Sequence, residues 1–375
     1  MKYYIIAGEA SGDLYGSNLI KEIFKLDANA NIRSWGGDLM ERAGANIVKH
    51  YKNHNYMGFL EVLRNLKTIL NNLNFCKSDI KKFKPDALIL IDFPGFNMRI
   101  AKYFYQSSFP VMYYIAPQVW AWKENRVEAI KKYVDELYVI LPFEEAFFKK
   151  HEIDAKYFGH PLLEHVKDFQ KGDTSIKEKF FEEYGLDKNK KIISLLPGSR
   201  RQEIIKKLPI MLESLSSYNN DINIVIAGIN NFKALYQQLI TNYNVTIIYD
   251  NTYNILNNSK IALVTSGTAT LETAFFKVPQ VVCYKTSWIS YLIAKFFIKV
   301  KYISLVNIIL NKKCVKELIQ NDLNSLKLSK ELDELKKANN IKSIKNDYLK
   351  LHEKCSGMNV SKNIANSMLK TIKTF

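Results

Sequence analysis

Short apolar runs alternate with longer amphipathic stretches along the first half of this chain. The runs are five or six residues long and rich in Ile, Leu, Val and Tyr, whereas the stretches between them repeat their apolar positions every three or four residues. This alternation predicts buried parallel strands joined by helices that cover both faces of one sheet. Strands are predicted at Tyr3–Ala7, Asn31–Trp35, Ala87–Ile91, Val111–Ile115 and Glu136–Leu141, and helices at Asp13–Leu26, Met57–Phe83, Met98–Tyr105 and Glu124–Tyr133.

A polar stretch at residues 167–176 interrupts this pattern, which then restarts. It predicts a linker, so the fold class is α/β with two facing Rossmann-like domains, the first at 1–168 and the second at 169–350. We expect residues 351–375, a C-terminal helical segment, to pack back on the first domain. Ligands of open α/β sheets bind at the carboxyl ends of the strands, so the ligand cleft is expected between the domains. After the linker, strands are predicted at Ile192–Leu196, Ile222–Ala227, Val245–Tyr249, Ile261–Thr265 and Gln280–Tyr284.

The positive charge of the chain is concentrated in its second half. Residues 1–170 carry 23 Lys and Arg against 20 Asp and Glu, whereas residues 171–375 carry 31 against 17, which accounts for most of the net charge of +17. A basic half suits a phosphorylated ligand, an anionic membrane surface or nucleic acid, and lysines on solvated surfaces would produce the same excess. The chain has no helix-turn-helix, RNP or zinc-finger signature, so specific nucleic-acid binding is disfavoured.

The four cysteines, Cys76, Cys283, Cys314 and Cys355, lie far apart and form no CxxC pair. They predict neither a zinc site nor a disulfide framework, so no metal is expected and a reducing cytoplasm is the natural compartment.

The most apolar region of the second half, Trp288–Leu310, is interrupted by Lys295, Lys299 and Lys301, so we do not expect it to span a bilayer. Its apolar positions recur at helical spacing. That pattern is typical of an amphipathic helix lying on a membrane and equally of a helix facing a core, and spacing alone leaves both interpretations open.

The stretch Ile192–Glu203 (IISLLPGSRRQE) runs from an apolar strand through a Pro-Gly-Ser turn into a helix. The first N–H groups of such a helix are unpaired and carry the positive end of its dipole, so they bind anions. Arg200 adds a guanidinium suited to bidentate contact with phosphate. We therefore predict phosphate binding at Gly198, Ser199 and Arg200, although an ordinary βα turn with solvated arginines has the same short pattern.

A second strand-turn-helix, Val264–Glu272 (VTSGTATLE), offers backbone N–H groups and two hydroxyls at Ser266, Gly267 and Thr268. Glu272 follows one helical turn later, where a carboxylate could accept hydrogen bonds from both hydroxyls of a ribose. Together the two turns predict a nucleoside diphosphate site in the second domain.

In the first domain, Asp92 ends a wholly apolar strand and precedes a Pro-Gly pair, which places it at the ligand edge of the sheet. It is the strongest catalytic candidate. Glu9 and Asp13, in the turn Gly8–Asp13 after the first strand, suit sugar hydroxyls or proton transfer. That turn lacks GxGxxG, and its acids would repel the phosphates of a dinucleotide, so no redox cofactor is expected.

Several segments occur together, and in order, as they do in the lipid-A-disaccharide synthase family, which the chain resembles over most of its length. They are GEASGD, MGFLEVL, IDFPGFN, APQVWAWK, LPFE, GHPL, LLPGSRRQEI and TSGTATLE, which begin at Gly8, Met57, Ile91, Ala116, Leu141, Gly159, Leu195 and Thr265. No single segment is specific, but the set is.

The resemblance implies an inverting glycosyltransferase of the GT-B fold that joins UDP-2,3-diacylglucosamine to 2,3-diacylglucosamine 1-phosphate and releases UDP. The product is the disaccharide precursor of lipid A. The resemblance also implies that the enzyme needs no cofactor and lies in the cytoplasm, bound peripherally to the inner face of the inner membrane, and it leaves a homodimer open. It places the essential acid at Asp92 and the essential arginine at Arg200. Ser11, Gly12 and Asn97 are further residues expected to bind substrate.

Two alternatives remain open from the sequence. One is another UDP-sugar enzyme on the same scaffold, an epimerase or a different lipid-linked glycosyltransferase, which product analysis with the two acylated sugars would distinguish. The other is a basic nucleic-acid-binding protein. Binding confined to low salt and without sequence preference would mark such affinity as incidental.

Overall fold

The computed structural model describes residues 1–53, 66–122, 126–172, 176–218, 221–288, 291 and 300–375. The strands are β1 (Lys2–Ala7), β2 (Asn31–Gly36), β3 (Asn46–His50), β4 (Ala87–Ile91), β5 (Val111–Tyr114), β6 (Glu136–Val139), β7 (Ala155–Tyr157), β8 (Lys191–Leu196), β9 (Ile222–Gly228), β10 (Thr246–Tyr249), β11 (Ser259–Thr265), β12 (Gln280–Tyr284) and β13 (Lys316–Ile319).

The α-helices lie between and after these strands, and they are α1 (Ala10–Leu26), α2 (Asp38–Arg42), α3 (Leu66–Phe83), α4 (Pro94–Tyr103), α5 (Val119–Trp122), α6 (Val127–Tyr133), α7 (Glu144–Lys149), α8 (Pro161–Gln170), α9 (Ile176–Glu183), α10 (Arg201–Glu213), α11 (Lys233–Ile240), α12 (Thr252–Asn258), α13 (Thr268–Phe275), α14 (Leu305–Leu310), α15 (Ser325–Lys336), α16 (Ala338–Cys355) and α17 (Val360–Thr374). The predicted start of α3 at Met57 lies outside the described residues.

The strands form two parallel sheets. In the described part of the chain the first sheet has the order β3-β2-β1-β4-β5-β6-β7, and the second has the order β10-β9-β8-β11-β12-β13. Strands β1, β4 and β5 are almost wholly buried, as expected for a sheet covered by helices on both faces. The predicted α/β fold class is therefore confirmed.

The sequence pattern did not predict three of the strands, namely β3, β7 and β13. All three lie at the edge of a sheet. Most of their residues are only half-buried, so they lack the continuous apolar run that identifies a central strand.

The chain divides into two compact units, one of residues 1–161 with 357–375 and the other of residues 162–356. The boundaries expected at 168/169 and 350/351 fall inside helices α8 and α16. Helix α8 packs with the second unit, since the Phe169 ring lies 5.8 Å from that of Phe276. Helix α16 ends on the buried Cys355. Apart from Pro161, the first residue of α8, both helices lie in the second unit. Residues 173–175 of the predicted linker lie outside the described residues.

The last helix, α17, belongs to the first unit and packs along α1. Its buried face includes Val360, Ile364 and Met368. It is also tied to β6, because the Tyr138 hydroxyl donates to the Ser367 hydroxyl at 3.1 Å. The chain thus returns to its first sheet after completing the second.

None of the described helices combines the length and the apolar composition needed to cross a bilayer. Within the apolar region Trp288–Leu310, residues 289–290 and 292–299 lie outside the described residues. Trp288 at its start is 55% exposed, whereas Val306 and Ile309 at its end are buried in the second unit. A membrane-contacting part of this region would therefore have to precede α14.

Candidate active site

Asp92 directly follows β4 and has a left-handed backbone conformation, with a φ of 47°, as does Phe93 with a φ of 50°. Such angles cost a non-glycine residue about 1–3 kcal/mol each, so neighbouring contacts have to hold them. The Asp92 carbonyl oxygen accepts hydrogen bonds from the Tyr113 hydroxyl at 2.6 Å and from Asn97 Nδ2 at 2.8 Å. Its N–H donates to the carbonyl oxygen of Tyr114 at 3.1 Å. The carboxyl group is thus carried by a fixed backbone.

The Asp92 carboxyl group is poised to exchange a proton near neutral pH. Burial raises the pKa of Asp92 to about 7, the negative charge of Glu9 adds to the rise, and a hydrogen bond from the Phe93 N–H opposes it. Glu9 is close because Ala7 pairs with Ile91 across β1 and β4, so the turns after both strands meet. A base works best when its pKa lies near the working pH, and Asp92 meets that condition.

Asn97, expected to bind substrate, is fully buried beneath Asp92. Its Nδ2 atom lies 3.4 Å from the Ile6 carbonyl oxygen and 3.3 Å from that of Ile91, in addition to its shorter bond to Asp92. These contacts give Asn97 the role of supporting the Asp92 backbone.

Glu144 is a second buried acid of the first unit, and the sequence analysis did not single it out. It is 1% exposed. Its carboxylate accepts hydrogen bonds from Trp120 Nε1 at 2.9 Å and from the N–H groups of Ile140 and Leu141 at 3.2 and 2.9 Å. Burial raises the pKa of Glu144 to about 7, those hydrogen bonds oppose the rise, and the charge of Asp92 adds to it. The sequence could have indicated Glu144 in the way it indicated Asp92, because both acids follow a buried strand.

Asp13 faces the interior of its own unit. It is 2% exposed, and its carboxylate accepts hydrogen bonds from the N–H groups of Gly37, Leu39 and Met40 at 2.8, 3.1 and 3.1 Å. It satisfies the first N–H groups of α2, which have no partner within that helix. We therefore assign Asp13 a structural role, in place of the proton transfer that the sequence suggested.

The first turn of α1 carries the remaining candidates of this unit. Glu9 caps the helix and is half-buried, as is Ser11. Gly12 is buried, and a Cβ at that position would lie 3.1 Å from the Ala7 Cβ, so Gly12 allows α1 to approach β1 closely. Glu9 and Ser11 remain candidates for contact with substrate, whereas Gly12 is explained by packing.

In the second unit, the turn after β8 is closed by Glu203. Gly198 has a φ of 119°, and a Cβ there would lie 2.3 Å from Glu203 Oε2, so only glycine fits. The Ser199 N–H donates to that same oxygen at 3.1 Å. The sequence suggested that the Ser199 N–H binds an anion. In the structure this N–H is instead bound to Glu203. Arg200 is exposed at the N-cap of α10, where it stands beside the positive end of the helix dipole.

Lys207 lies beneath this turn and balances the charge of Glu203. It is 2% exposed, and its Nζ lies 3.8 Å from Glu203 Oε1. Burial lowers the pKa of Lys207 to about 8, and the charge of Glu203 opposes that shift. When Lys207 is protonated, its positive charge offsets the negative charge of Glu203. The turn then adds no net negative charge near Arg200.

The turn after β11 is partly closed as well. The Ser266 hydroxyl donates to the Ile303 carbonyl oxygen at 3.0 Å, and the Ser266 N–H points at the Cys283 carbonyl oxygen at 3.4 Å. Ser266 therefore fixes the turn, and its hydroxyl and N–H point to carbonyl oxygens of the protein rather than to a ligand. Gly267 is the N-cap of α13, and Thr268 is its first residue, so these two residues present the predicted anion-binding N–H groups.

Glu272 lies on the second turn of α13 and is half-buried. Burial raises the pKa of Glu272 to about 7. Leu196 pairs with Val264 across β8 and β11, so the turns that follow the two strands lie side by side. The register therefore brings Arg200, the N-terminus of α13 and Glu272 to one edge of the second sheet.

A hydrogen-bond network around the half-buried Glu317 supports this edge. Glu317 accepts hydrogen bonds from the N–H groups of Ile303 and Ser304 and from Asn307 Nδ2 at 3.2, 2.9 and 2.9 Å. Asn307 Oδ1 in turn accepts from the N–H of Val315 at 2.9 Å. These bonds fix the Ile303 carbonyl oxygen that holds Ser266. In the part of the chain that the structure describes, no group of three or more His, Cys, Asp or Glu side chains could hold a metal ion.

Comparison with known sequences gives matches along nearly the whole chain. A model of the family lipid-A-disaccharide synthetase matches residues 3–371. Lipid-A-disaccharide synthase 1 of Legionella pneumophila is 34% identical over 365 residues, which cover 94% of this chain and 92% of the relative. Lipid-A-disaccharide synthase of Syntrophus aciditrophicus is 36% identical over 335 residues, with coverage of 88% and 86%.

Solved structures share the fold at low sequence identity. UDP-GlcNAc 2-epimerase from Neisseria meningitidis, bound to UDP-GlcNAc, has a TM-score of 0.61 at 14% identity and covers 99% of this chain and 100% of its own. Staphylococcus aureus MnaA with UDP has a TM-score of 0.69 at 12% identity, with coverage of 100% and 97%. A glycosyltransferase from Rickettsia africae has a TM-score of 0.59 at 16% identity, with coverage of 99% and 98%.

Proposed function

The chain belongs to the lipid-A-disaccharide synthase family, and from that premise we propose that it joins UDP-2,3-diacylglucosamine to 2,3-diacylglucosamine 1-phosphate, with release of UDP. Membership makes it a glycosyltransferase of lipid A biosynthesis, and the two substrates are the proposal. The observation that carries the proposed chemistry is Asp92, an acid with a pKa of about 7 on a fixed backbone at the ligand edge of the first sheet.

Asp92 is proposed as the general base. In its ionised form it takes the proton from the 6-hydroxyl of the acceptor sugar as that oxygen attacks the anomeric carbon of the donor. The new glycosidic bond forms while the bond from the anomeric carbon to the diphosphate breaks, so the configuration inverts and UDP leaves. Burial and the charge of Glu9 keep the pKa of Asp92 close to neutral, which suits a group that accepts a proton and then returns it to water.

The second unit is proposed to hold the UDP part of the donor. Arg200 and the first N–H groups of α10 and α13 face the diphosphate, where they stabilise the charge that develops as UDP leaves. Glu272 accepts hydrogen bonds from the ribose hydroxyls. Ser199 and Ser266 act indirectly, because their bonds to Glu203 and Ile303 fix the two turns.

The enzyme is also proposed to bind the inner face of the inner membrane peripherally, since both substrates carry acyl chains. The apolar and lysine-bearing sequence at residues 288–302 suits that contact, because its rings would be buried among lipids while its lysines attract anionic headgroups.

The test is an assay of UDP release combined with mass spectrometry of the lipid product. We expect UDP release to require both acylated sugars and to match the disaccharide 1-phosphate formed. Equal UDP release from the donor alone, or conversion of the donor into an epimer, would exclude the proposed reaction.

A further inference from the structure

The first unit has a groove of about 220 Å³, and its lining includes Pro94 and Gly95, which follow Asp92 closely in the sequence. One wall is the beginning of α4, which starts two residues after Asp92. The other wall comes from the segment after β5 and from the start of α6, and α4 and α6 pack against each other. Because β4 and β5 are parallel neighbours, the groove lies at the same edge of the sheet as Asp92.

The lining of this groove has two different chemical parts. Most of it is apolar and includes Met98, Pro117, Val119 and Ile130. Among the lining residues that the structure describes, two are charged, namely Arg99, which is exposed, and Arg126, which is half-buried. Of the described residues in the lining, none is acidic. An apolar trough bordered by two guanidinium groups suits an amphiphile with an anionic group, and Arg is the side chain best shaped for phosphate.

Arg126 is electrostatically linked to the proposed base. Burial raises the pKa of the Tyr113 hydroxyl well above its usual value, the charge of Asp92 adds to the rise, and the charge of Arg126 opposes it. Both charges therefore act on a single hydroxyl, the one that donates to the Asp92 carbonyl oxygen. A ligand held in this groove would lie at the sheet edge that carries Asp92.

We propose that this groove is the subsite for the acceptor lipid, with Arg99 and Arg126 binding its phosphate and the apolar lining holding part of one acyl chain. The inference rests on the proposed function, and it deepens that function by naming the side chains that bind the acceptor lipid. The phosphates of the donor go to Arg200, whereas the phosphate of the acceptor goes to the arginines beside Asp92. The acceptor hydroxyl is then delivered to the base by groups on the same sheet edge.

The test compares two acceptors, 2,3-diacylglucosamine 1-phosphate and the same lipid without its phosphate, in detergent micelles that contain no phospholipid. With saturating donor, Arg126→Ala should raise KM for the phosphorylated acceptor by about tenfold or more, as expected for the loss of a charge-assisted contact. KM for the dephosphorylated acceptor and KM for the donor should stay within about twofold. Arg99→Ala should act in the same direction and less strongly, because Arg99 is more exposed.

Lys102→Ala is the matched control, since Lys102 is an exposed cation on the same helix as Arg99 and does not line the groove. It should leave both KM values unchanged. Equal loss with both acceptors, or no loss with either, would overturn the phosphate assignment while the wild-type reaction still stood. A wild-type enzyme that binds UDP but forms no disaccharide from either acceptor would instead refute the proposed function itself.

A separate substitution tests the apolar part of the subsite. Ala129 lies on α6 in the lining, and Ala129→Leu narrows the groove with a residue that favours helix. We expect the variant to prefer acceptors with shorter acyl chains than the wild type prefers. An unchanged chain-length preference, with circular dichroism showing the native fold, would place the acyl chains elsewhere.

Discussion

The Tyr113 hydroxyl donates a hydrogen bond of 2.6 Å to the backbone carbonyl oxygen of Asp92. The bond runs between neighbouring strands of the first sheet, at the point where the chain takes up its left-handed turn. It joins a fully buried ring to the residue that carries the proposed base.

Tyr113→Phe removes this bond and little else. We expect the free energy of unfolding, measured with urea, to fall by about 1 kcal/mol, because Asn97 still satisfies the carbonyl oxygen. We expect kcat to fall by roughly tenfold, since a small misplacement of a catalytic group is costly, while UDP affinity stays the same. A loss of stability with unchanged kcat would make the bond purely structural.

Arg200→Ala should weaken UDP binding by roughly 1.5–3 kcal/mol, the worth of a hydrogen bond to a charged group. Titration calorimetry measures the effect directly. Arg201→Ala is the control, because Arg201 is the next residue, is exposed and carries the same charge. If the two variants lose affinity equally, general charge attraction explains the loss, and Arg200 has no specific contact with the diphosphate.

Glu272 predicts a pH dependence of nucleotide binding. Its pKa is about 7 in the absence of ligand, and hydrogen bonds from ribose hydroxyls favour the ionised carboxylate. The affinity for a UDP-sugar should therefore rise as the pH increases from about 6 to 8. A UDP-sugar is the right probe because its diphosphate has no proton to lose in that range, unlike the terminal phosphate of UDP.

In Glu272→Gln this rise should disappear, and binding at pH 8 should be about tenfold weaker than in the wild type. A rise of the same size in the variant would assign the pH dependence to a group other than Glu272.

Phe296 and Phe297 lie outside the described residues, and their role is a prediction from the sequence alone. Replacing both with Ser should reduce binding to anionic vesicles while UDP affinity stays the same, because the rings supply the apolar part of a membrane contact. Vesicle sedimentation measures the first effect and calorimetry the second. If the double variant unfolds, the two rings belong to the core of the second unit.

The sequence located Asp92 because a wholly apolar strand ends there, and parallel strands bring such ends to one edge. The residues that surround Asp92 could not be predicted from the sequence. The Tyr113 hydroxyl on β5 binds the Asp92 carbonyl oxygen, and the charge of Asp92 adds to the raised pKa of Glu144 on α7. Both relationships depend on the order of strands in the sheet. The left-handed conformation of Asp92 was equally hidden, because non-glycine residues rarely adopt it.

The two turns of the second unit were recognised as turns, yet their hydrogen bonds were not. Ser199 and Ser266 matched the pattern of an anion-binding nest, but Glu203 and Ile303 take up their donors. Ile303 is 37 residues from Ser266, so no local pattern contains that contact. Glu203 lies in the same segment as Ser199, but a strand-turn-helix pattern does not show that its side chain folds back onto the Ser199 N–H.

The most direct test of the account is the pH profile of kcat for the wild type and for Asp92→Asn, with both acylated substrates saturating. The wild-type kcat should rise with pH through about 7 and level off above it, because a base must be ionised to accept a proton. Asp92→Asn preserves size but cannot take the proton, so its kcat should be lower by roughly 10²–10⁴, with UDP affinity unchanged. Asp135→Asn serves as control, since Asp135 binds the Val111 N–H at the opposite end of β5. A kcat for Asp92→Asn within a few-fold of the wild type, with the same pH profile, would contradict Asp92 as the base and turn attention to Glu9.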